Sequence, residues 1–430
     1  MIDASSDGLV EQAVESWHST RSDFPELGRR YSAREQQERE YFLDDCLDRI
    51  ERELFRLPRS SADAELAVAR LTTSAVKLAT CALGIDNSYI DSLLREGFSA
   101  IGVELARSAR LIDPEVSMAD VLQACRNAWT AGALQLLFGR ELRLTPALFA
   151  YSMLYPYSDK YLDDRAVPAG AKLQFSHRFR ERLAGVDVAP HGVREETIWD
   201  LVGLIETQYP RENFPGVYDS LLAIHRAQQD SIGQMQRKRG SDDFPVLRLS
   251  VTKGGTSVVA DAYLATGTPT FKEVSFAFNW GVLLQLSDDL QDLRADCRAG
   301  SVTVFSKAVS NRESLDELTN RTFHFSEKVL GTAENLAGGS GILKQLLTAS
   351  SRSLLIRSVA CLAEYYADGY ARELEAYSPF RFGFLRSRER QFSKRQRAMR
   401  QLFEMVAGGI AIAQNSNPVH VDRDGLLARL

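Results

Sequence analysis

The sequence predicts an all-α fold. Apolar residues recur at helical spacing along nearly the whole chain, and no segment shows a sustained alternation of apolar and polar residues. The chain has 430 residues, of which 44% are apolar and 25% charged, so it is long enough to bury a sizeable core. We expect residues 1–40 to form a polar, loosely packed extension and residues 41–430 to form the helical domain.

Composition and charge exclude several classes of protein. A net charge of -5 gives no general attraction to nucleic acid or to an anionic membrane. The five cysteines are scattered without a C-x-x-C pair, which is typical of reduced thiols in a cytoplasmic protein. The N-terminus lacks the pattern of a signal peptide, and the longest candidate membrane stretch, 405–413, is far shorter than the roughly 20 residues a span requires. We therefore expect a cytoplasmic protein with no transmembrane segment.

Helical segments bounded by glycine or proline follow one another along the chain. The clearest are 64–84, 118–139, 194–208, 218–238, 270–299, 314–336 and 341–376. Another begins at Thr145, which is suited to capping, with Pro146 at the first helical position. It runs to about Arg165, and Pro156 inside it predicts a kink or a fresh start.

The helix predicted over 270–299 combines a buried half with an acidic half. Thr270 and Glu273 match the pattern of a capping box, and Gly300 suits a C-terminal stop. Residues 274–286 are apolar on almost every side, as expected of a helix at the centre of a protein. The acidic sequence SDDLQDLRAD follows without a breaker.

Four aspartates in that acidic half predict a metal site. Asp288, Asp292 and Asp296 share one helix face, and Asp289 lies one residue off that row. In solvent each i, i+4 pair would cost only about 0.2–0.5 kcal/mol, and a solvated helix end is the alternative interpretation. Inside a cavity the repulsion rises to about 3 kcal/mol per pair, at about 5 Å and an effective dielectric of about 20, so bound cations are needed. Oxygen ligands without His or Cys favour Mg²⁺, whose other positions are usually filled by a substrate phosphate.

A second acidic cluster ends the helix that begins at Thr145. Asp159 and Asp163 are again spaced i, i+4, and Asp164 is adjacent. Helical bundles build metal sites from carboxylates that project inward from facing helices, so we expect the two clusters to face each other. An exposed, frayed helix end before Pro168 is the alternative. The predicted catalytic carboxylates are Asp159, Asp163, Asp288 and Asp292.

These motifs resemble those of a known superfamily. The segment QLSDDLQDLRAD, 285–296, looks like the second aspartate-rich motif of trans-prenyl diphosphate synthases, and its end is similar to the D-x-x-x-D of squalene and phytoene synthases. Asp288, Asp292 and Asp296 also have the spacing of the terpene cyclase metal triad, with Asp in place of Ser and Glu. The first acidic cluster suits the first motif. Over 145–310 the chain thus resembles class I isoprenoid synthases, which implies a helical bundle with a central apolar cavity.

The resemblance implies a prenyl diphosphate substrate, with three Mg²⁺ ions when the diphosphate is bound. Lys253, in KGGTSVVADAYLATG, is similar to the family's diphosphate-binding lysine; an ordinary surface lysine is the alternative. Arg298 and Lys307 are further candidate donors. Arg165 is another, but it stands alone where chain-elongating enzymes usually carry two arginines. We therefore favour a terpene synthase, similar to the bacterial tetraprenyl-β-curcumene synthase-like group.

The prenyl tail is expected to lie along the apolar helices below the acids. The predicted cavity residues are Tyr151, Tyr155, Phe278, Gly281, Leu284 and Gln285. Aromatic rings there would stabilise a carbocation by about 2 kcal/mol when desolvated, unless they are ordinary core residues. Gly281 either leaves cavity volume or allows close helix packing.

Two other functions stay open at this point. One is a prenyltransferase that joins two isoprenoid diphosphates, head-to-tail or head-to-head. The other is a catalytically silent helical binding protein, because 381–400 carries eight Lys and Arg against one acid. A solvated helix face, or a segment closing over the diphosphate, would also explain that stretch. We expect a small-molecule partner, no nucleic acid, and possible homodimers of the kind common among relatives of this fold.

Overall fold

Helices make up the regular structure of this chain. The computed structural model describes residues 2–54, 61–85, 91, 93–164, 166–235, 246–339 and 341–392. Within these ranges the protein is all-α and contains no strand, which confirms the predicted class.

The helices follow one another with short connections. The first are α1 (Ile2–His18), α2 (Ala33–Leu54), α3 (Ser61–Leu83), a π-helix (Leu93–Phe98), α4 (Ser99–Ile112) and α5 (Met118–Leu137). The middle of the chain forms α6 (Pro146–Asp163), α7 (Ala169–Leu183), α8 (Val193–Gln208), α9 (Pro215–Met235), α10 (Val246–Thr266) and α11 (Phe271–Gln291). The last are α12 (Leu293–Ala299), α13 (Val304–Ser310), α14 (Asp316–Gly331), α15 (Gly341–Cys361), α16 (Tyr370–Glu375) and α17 (Phe382–Phe392), with 3-10 turns at Thr332–Asn335 and Ala363–Tyr365.

Local sequence signals determine where the two acidic helices begin and end. The Thr145 hydroxyl accepts a hydrogen bond from the backbone N–H of Leu148 at the start of α6. Thr270 and Glu273 form the expected capping box at the start of α11. Gly300 follows α12 with a φ of 78°, a left-handed conformation that favours glycine.

The two acidic helices differ in how far they continue. α6 continues through Pro156 as a single helix, so the chain does not start afresh there. The helix predicted over 270–299 is interrupted at Asp292, whose φ of -87° and ψ of 3° leave the helical region. The N–H of Asp292 still donates to the carbonyl of Asp288, as in an α-helix, and also to that of Leu290. Asp288 and Asp289 therefore lie on α11, Asp292 at the junction and Asp296 on α12, instead of all four on one helix.

α10 lies at the centre of the helix packing, against α1, α5, α9 and α11. Glycines bring α10 and α11 into backbone contact. A Cβ added to Gly281 would lie 2.8 Å from the carbonyl carbon of Gly254, and one added to Gly254 would lie 2.5 Å from Cβ of Gln285. Close packing is therefore a role of Gly281, one of the two alternatives given for it.

α1 belongs to the core, which differs from the loose packing expected of residues 1–40. Val10, Ala13 and Trp17 are at most 2% exposed, and Trp17 packs edge-on against Phe325 with ring centroids 5.6 Å apart. The spacing of these apolar residues places them on one face of the helix. Acidic residues on the other face make the segment polar on average, so its composition does not reveal the buried face. The boundary at residue 40 stays a prediction.

One helix among the described residues meets the length and hydropathy criteria for a membrane span. It is Leu66–Leu83 in α3, and 17% of that stretch is buried. Arg70 and Lys77 interrupt it, and α3 packs against α2. A single helix of this kind is weak evidence for a span, so the expectation of no transmembrane segment stands.

Candidate active site

A cavity of about 1870 Å³ opens between the helices. Along α11 its wall passes from Asp288 to Leu284 and Gly281, and along α6 it passes from Asp159 to Tyr151. One part of the wall is therefore acidic and the neighbouring part largely apolar. Apolar side chains from several helices complete it, among them Leu154, Phe179, Ile224, Val258, Trp280 and Leu346.

Most residues predicted for the site line this one cavity. They are Tyr151 and Asp159 from α6, Lys253 from α10, Gly281, Leu284, Gln285, Asp288 and Asp289 from α11, and Asp292, Asp296, Arg298 and Lys307 beyond it. Asp159 of the first acidic cluster and the four aspartates of the second, far apart in sequence, thus reach a common space together with three cationic side chains.

Phe278 and Asp164 occupy other environments than those predicted for them. Phe278 is 1% exposed and packs against α10, where a Cβ on Gly255 would lie 2.5 Å from Cζ of its ring. Asp164 is exposed at the end of α6, and its carboxylate accepts a hydrogen bond from the N–H of Ala166 at 2.8 Å. Phe278 therefore packs between helices, and Asp164 stabilises a turn. Neither residue lines the cavity.

Three predicted positions lie outside the described residues. They are Arg165 and the side chains of Tyr155 and Asp163. The contribution of the first acidic cluster is therefore argued from Asp159 alone.

The basic stretch 381–400 is described only in its first part. Arg381 pairs with Glu40, and Arg388 pairs with Asp44. Residues 393–400 lie outside the described residues. Where it is described, the stretch uses its charges to hold α17 against α2.

Arg126 is a cation at the acidic site that the sequence analysis missed. Its Nη2 lies 3.1 Å from Oδ1 of Asp288, which is half-accessible to water from the cavity. Burial raises the pKa of the Asp288 carboxyl, Arg126 opposes that rise, and the neighbouring Asp292 adds to it. The charge of Asp288 is thus balanced by an arginine from α5, a helix with no sequence motif.

Asp289 is held by two side-chain donors. Nε2 of Gln285 donates to its Oδ1, and Oγ of Ser250 donates to its Oδ2, both at 2.8 Å. Burial raises the pKa of this carboxyl to about 6, against the effect of both hydrogen bonds and of Lys253. Each oxygen keeps a further lone pair, so these two donors orient the Asp289 carboxylate and leave it able to bind a cation.

Asp159 is fixed from α9, a further contact absent from the sequence analysis. It is 8% exposed, and Nε2 of Gln228 donates to its Oδ2 at 2.7 Å. Oγ of Ser158 donates to its Oδ1 at 3.2 Å.

In the second acidic cluster, burial raises the pKa of Asp296, and the charge of Asp292 raises it further. Crowded carboxylates of this kind gain from a bound cation.

The donor chemistry of the cavity fits Mg²⁺. Among the described residues no three His, Cys, Asp or Glu side chains converge on one point as a ready-made cage. Mg²⁺ usually takes one or two protein carboxylates and completes its octahedron with water and substrate phosphate. Asp159, Asp288, Asp292 and Asp296 offer only oxygen atoms, so they suit an ion that is bound together with a diphosphate.

Two buried ionisable side chains, Asp261 and His225, also line the cavity. Nδ2 of Asn127 donates to Oδ1 of Asp261 at 3.0 Å, while Oδ2 has no hydrogen-bond partner among the described residues. Burial raises the pKa of Asp261 well above its ordinary value, and the hydrogen bond from Asn127 opposes that rise. Asp261 lies eight residues after Lys253, on the same face of α10, and this spacing could have identified it from the sequence as a residue of the site.

Comparison with known proteins identifies no relative of this chain. No protein-family model matches it, and no curated protein matches it. A function must therefore be argued from the residues of the cavity.

Proposed function

We propose that the chain is a Mg²⁺-dependent class I terpene synthase. It would ionise a linear prenyl diphosphate and release pyrophosphate, giving a hydrocarbon or a cyclised terpene. One observation carries the proposal: acidic side chains from α6, α11 and α12, several cations and many apolar side chains line one cavity. Charged groups for a diphosphate and apolar volume for a tail are what such a substrate requires.

The protein's own groups would bind and orient the diphosphate. Lys253, Arg298 and Lys307 would donate charge-assisted hydrogen bonds to phosphate oxygens. Arg126, now paired with Asp288, would be free to turn to the diphosphate once that carboxylate bound a cation. Mg²⁺ held by the carboxylates would supply Lewis-acid stabilisation of the charge on the departing diphosphate. No protein nucleophile is required.

The apolar wall would shelter the cation left behind. Tyr151 lines it, with a hydroxyl that donates to the carbonyl of Ser257 at 3.3 Å. Burial raises the pKa of this phenol, so it stays neutral. A neutral aromatic face near a desolvated cation stabilises it by about 2 kcal/mol or more without reacting as a nucleophile.

The size of the cavity supports a second candidate. A volume of about 1870 Å³ exceeds the roughly 300–1,000 Å³ of ordinary small-ligand sites, so it suits either one long tail or two shorter ones. A prenyltransferase that joins two diphosphates is therefore the alternative. Arg381 and Arg388, two of the eight basic residues of 381–400, pair with Glu40 and Asp44 of α2, which leaves fewer charges there for a nucleic acid.

The test is Mg²⁺-dependent release of pyrophosphate from a series of short to long prenyl diphosphates. Asp288→Ala and Asp159→Ala should each reduce the rate by about 100-fold or more, as expected when charge stabilisation of a leaving group is lost. Asp164→Ala is the matched control and should keep the wild-type rate, because Asp164 is exposed outside the cavity.

Mass spectrometry of the products separates the candidates. A hydrocarbon or terpene alcohol from a single substrate supports the terpene synthase, whereas a longer diphosphate formed only with isopentenyl diphosphate supports the prenyltransferase. A folded wild-type protein that consumes no isoprenoid substrate would contradict both.

A further inference from the structure

Gln228 lies on the face of α9 that is turned to the cavity. Leu221, Ile224 and Gln228 all line the cavity, and their spacing of three and four residues places them on one face of the helix. The first two of these residues are buried, and Gln228 is half-buried. This face of α9 therefore passes from two apolar side chains to one amide.

The amide of Gln228 forms a bridge to α6. Its Nε2 donates to Oδ2 of Asp159 at 2.7 Å, and Asp159 also lines the cavity. Among the described residues, α6 packs mainly against α5 and α8, and α9 packs mainly against α10. The hydrogen bond therefore joins two helices that make few other contacts, and the direction of the Asp159 carboxylate depends in part on where α9 places this amide.

The donor to Asp159 is neutral, which is important for a carboxylate that is to bind a cation. The amide uses one lone pair of Oδ2 and leaves the second available. Because an amide has no net charge, this bond orients Asp159 without cancelling its charge. Asp288 differs, since its partner Arg126 is a cation. Carboxylates that ligate metal ions are commonly oriented by such a further hydrogen bond.

We infer that Gln228 is a positioning residue that orients Asp159, through a neutral donor, for the Mg²⁺ that binds together with the diphosphate. The inference rests on the proposed Mg²⁺-dependent function and concerns metal binding, not the later chemistry. Loss of the amide should therefore raise the Mg²⁺ requirement by a larger factor than it lowers the rate at saturating Mg²⁺.

The test is the melting temperature of the protein at a fixed concentration of pyrophosphate and increasing Mg²⁺. Gln228→Leu removes the donor at similar volume, and Gln228→Lys keeps a donor but cancels the charge of Asp159. Each should raise the Mg²⁺ concentration for half-maximal stabilisation by about 10- to 100-fold, the usual effect of losing such a partner. The Mg²⁺ concentration for half-maximal release of pyrophosphate should rise by a similar factor.

Gln229→Leu is the matched control. Gln229 is the next residue of α9, donates to Oγ of Ser176 at 2.5 Å, and does not line the cavity. This change also removes the hydrogen bond of a glutamine amide, so it should lower the melting temperature without ligands and leave the Mg²⁺ dependence unchanged. It separates the orientation of Asp159 from the general stability of α9.

A wild-type Mg²⁺ dependence in either Gln228 variant would overturn the inference, as would an equal rise of the Mg²⁺ requirement in Gln229→Leu. If the wild-type protein still releases pyrophosphate with Mg²⁺, these results overturn only the role of Gln228. A wild-type protein that gains no stability from Mg²⁺ with pyrophosphate, and releases none from any prenyl diphosphate, contradicts the proposed function and this inference together.

Discussion

The contact between α10 and α11 leaves no room for a side chain, so Gly281→Ala should unfold the protein more easily. A Cβ at Gly281 would lie 2.8 Å from the carbonyl carbon of Gly254, 3.0 Å from Cβ of Val258, and closer still to the Gly254 carbonyl oxygen. Carbon atoms in contact are normally about 3.5–4.0 Å apart. The neighbouring atoms are backbone, which has no alternative rotamer, so the two helices would have to separate.

The expected cost follows from that geometry. Overpacking a core typically costs about 1–3 kcal/mol, and a clash with the backbone belongs at the upper end of that range. Alanine recovers up to about 1 kcal/mol through its higher helix propensity. We therefore expect a net loss of about 2–3 kcal/mol in the free energy of unfolding, roughly 30- to 150-fold in the folding equilibrium.

The same change should affect the site. Gly254 follows Lys253 directly, and a Cβ on Gly254 would lie 2.5 Å from Cβ of Gln285, the donor to Asp289. Separating the helices therefore shifts a cation and an acid relative to each other. Pyrophosphate release by any folded fraction should fall more than the loss of folded protein alone explains.

Urea unfolding followed by circular dichroism measures the stability change. Gly203→Ala in α8 is the matched control, since a Cβ there meets no atom within 4 Å and should add up to about 1 kcal/mol of stability. The reasoning is refuted if Gly281→Ala is as stable as this control, or more stable than the wild type.

Three further predictions concern pH and ligands. Asp261→Asn should raise the melting temperature at neutral pH. Burial raises the pKa of Asp261 in the folded state, so the wild type loses stability as the pH rises above the pKa of this carboxyl in the unfolded state. The higher melting temperature of the variant should therefore vanish in acid. Glu195→Gln should cost about 1.5–3 kcal/mol in the free energy of unfolding at neutral pH. Burial alone would raise the pKa of Glu195, but Arg178, whose Nη2 lies 2.7 Å away, helps to lower it below its ordinary value. In urea titrations this cost should shrink as the pH falls below the pKa of the carboxyl in the unfolded state. Mg²⁺ with pyrophosphate should raise the melting temperature of the wild type and not of Asp288→Ala; an equal rise in both would argue against metal binding by this carboxylate.

Helix ends and the acidic faces were predictable because they depend on residues close together in sequence. Thr145, Thr270 and Gly300 act on the backbone within a few residues of themselves, through capping and a left-handed turn. The break at Asp292 was not predictable, because no proline or glycine marks it and the chain resumes a helix at once. α1 was misjudged because its buried face is visible only when the core it covers is known.

The partners of the acids had no local signal. Arg126, Gln228 and Ser250 come from three other helices, and each has an ordinary sequence environment. Their roles follow from the crossing of those helices around the cavity.

The sequence alone determined that the chain is all-α, that it carries two acidic clusters, and where the apolar helix begins and ends. These properties depend on periodicity or on residues close together in sequence. Only the tertiary structure decided that Asp159 and Asp288 line one cavity, that each oxygen of Asp289 accepts a hydrogen bond, and that Phe278 belongs to the packing. The physical reason is that charge balance and burial are set by groups distant in sequence, and these meet only when the helices pack.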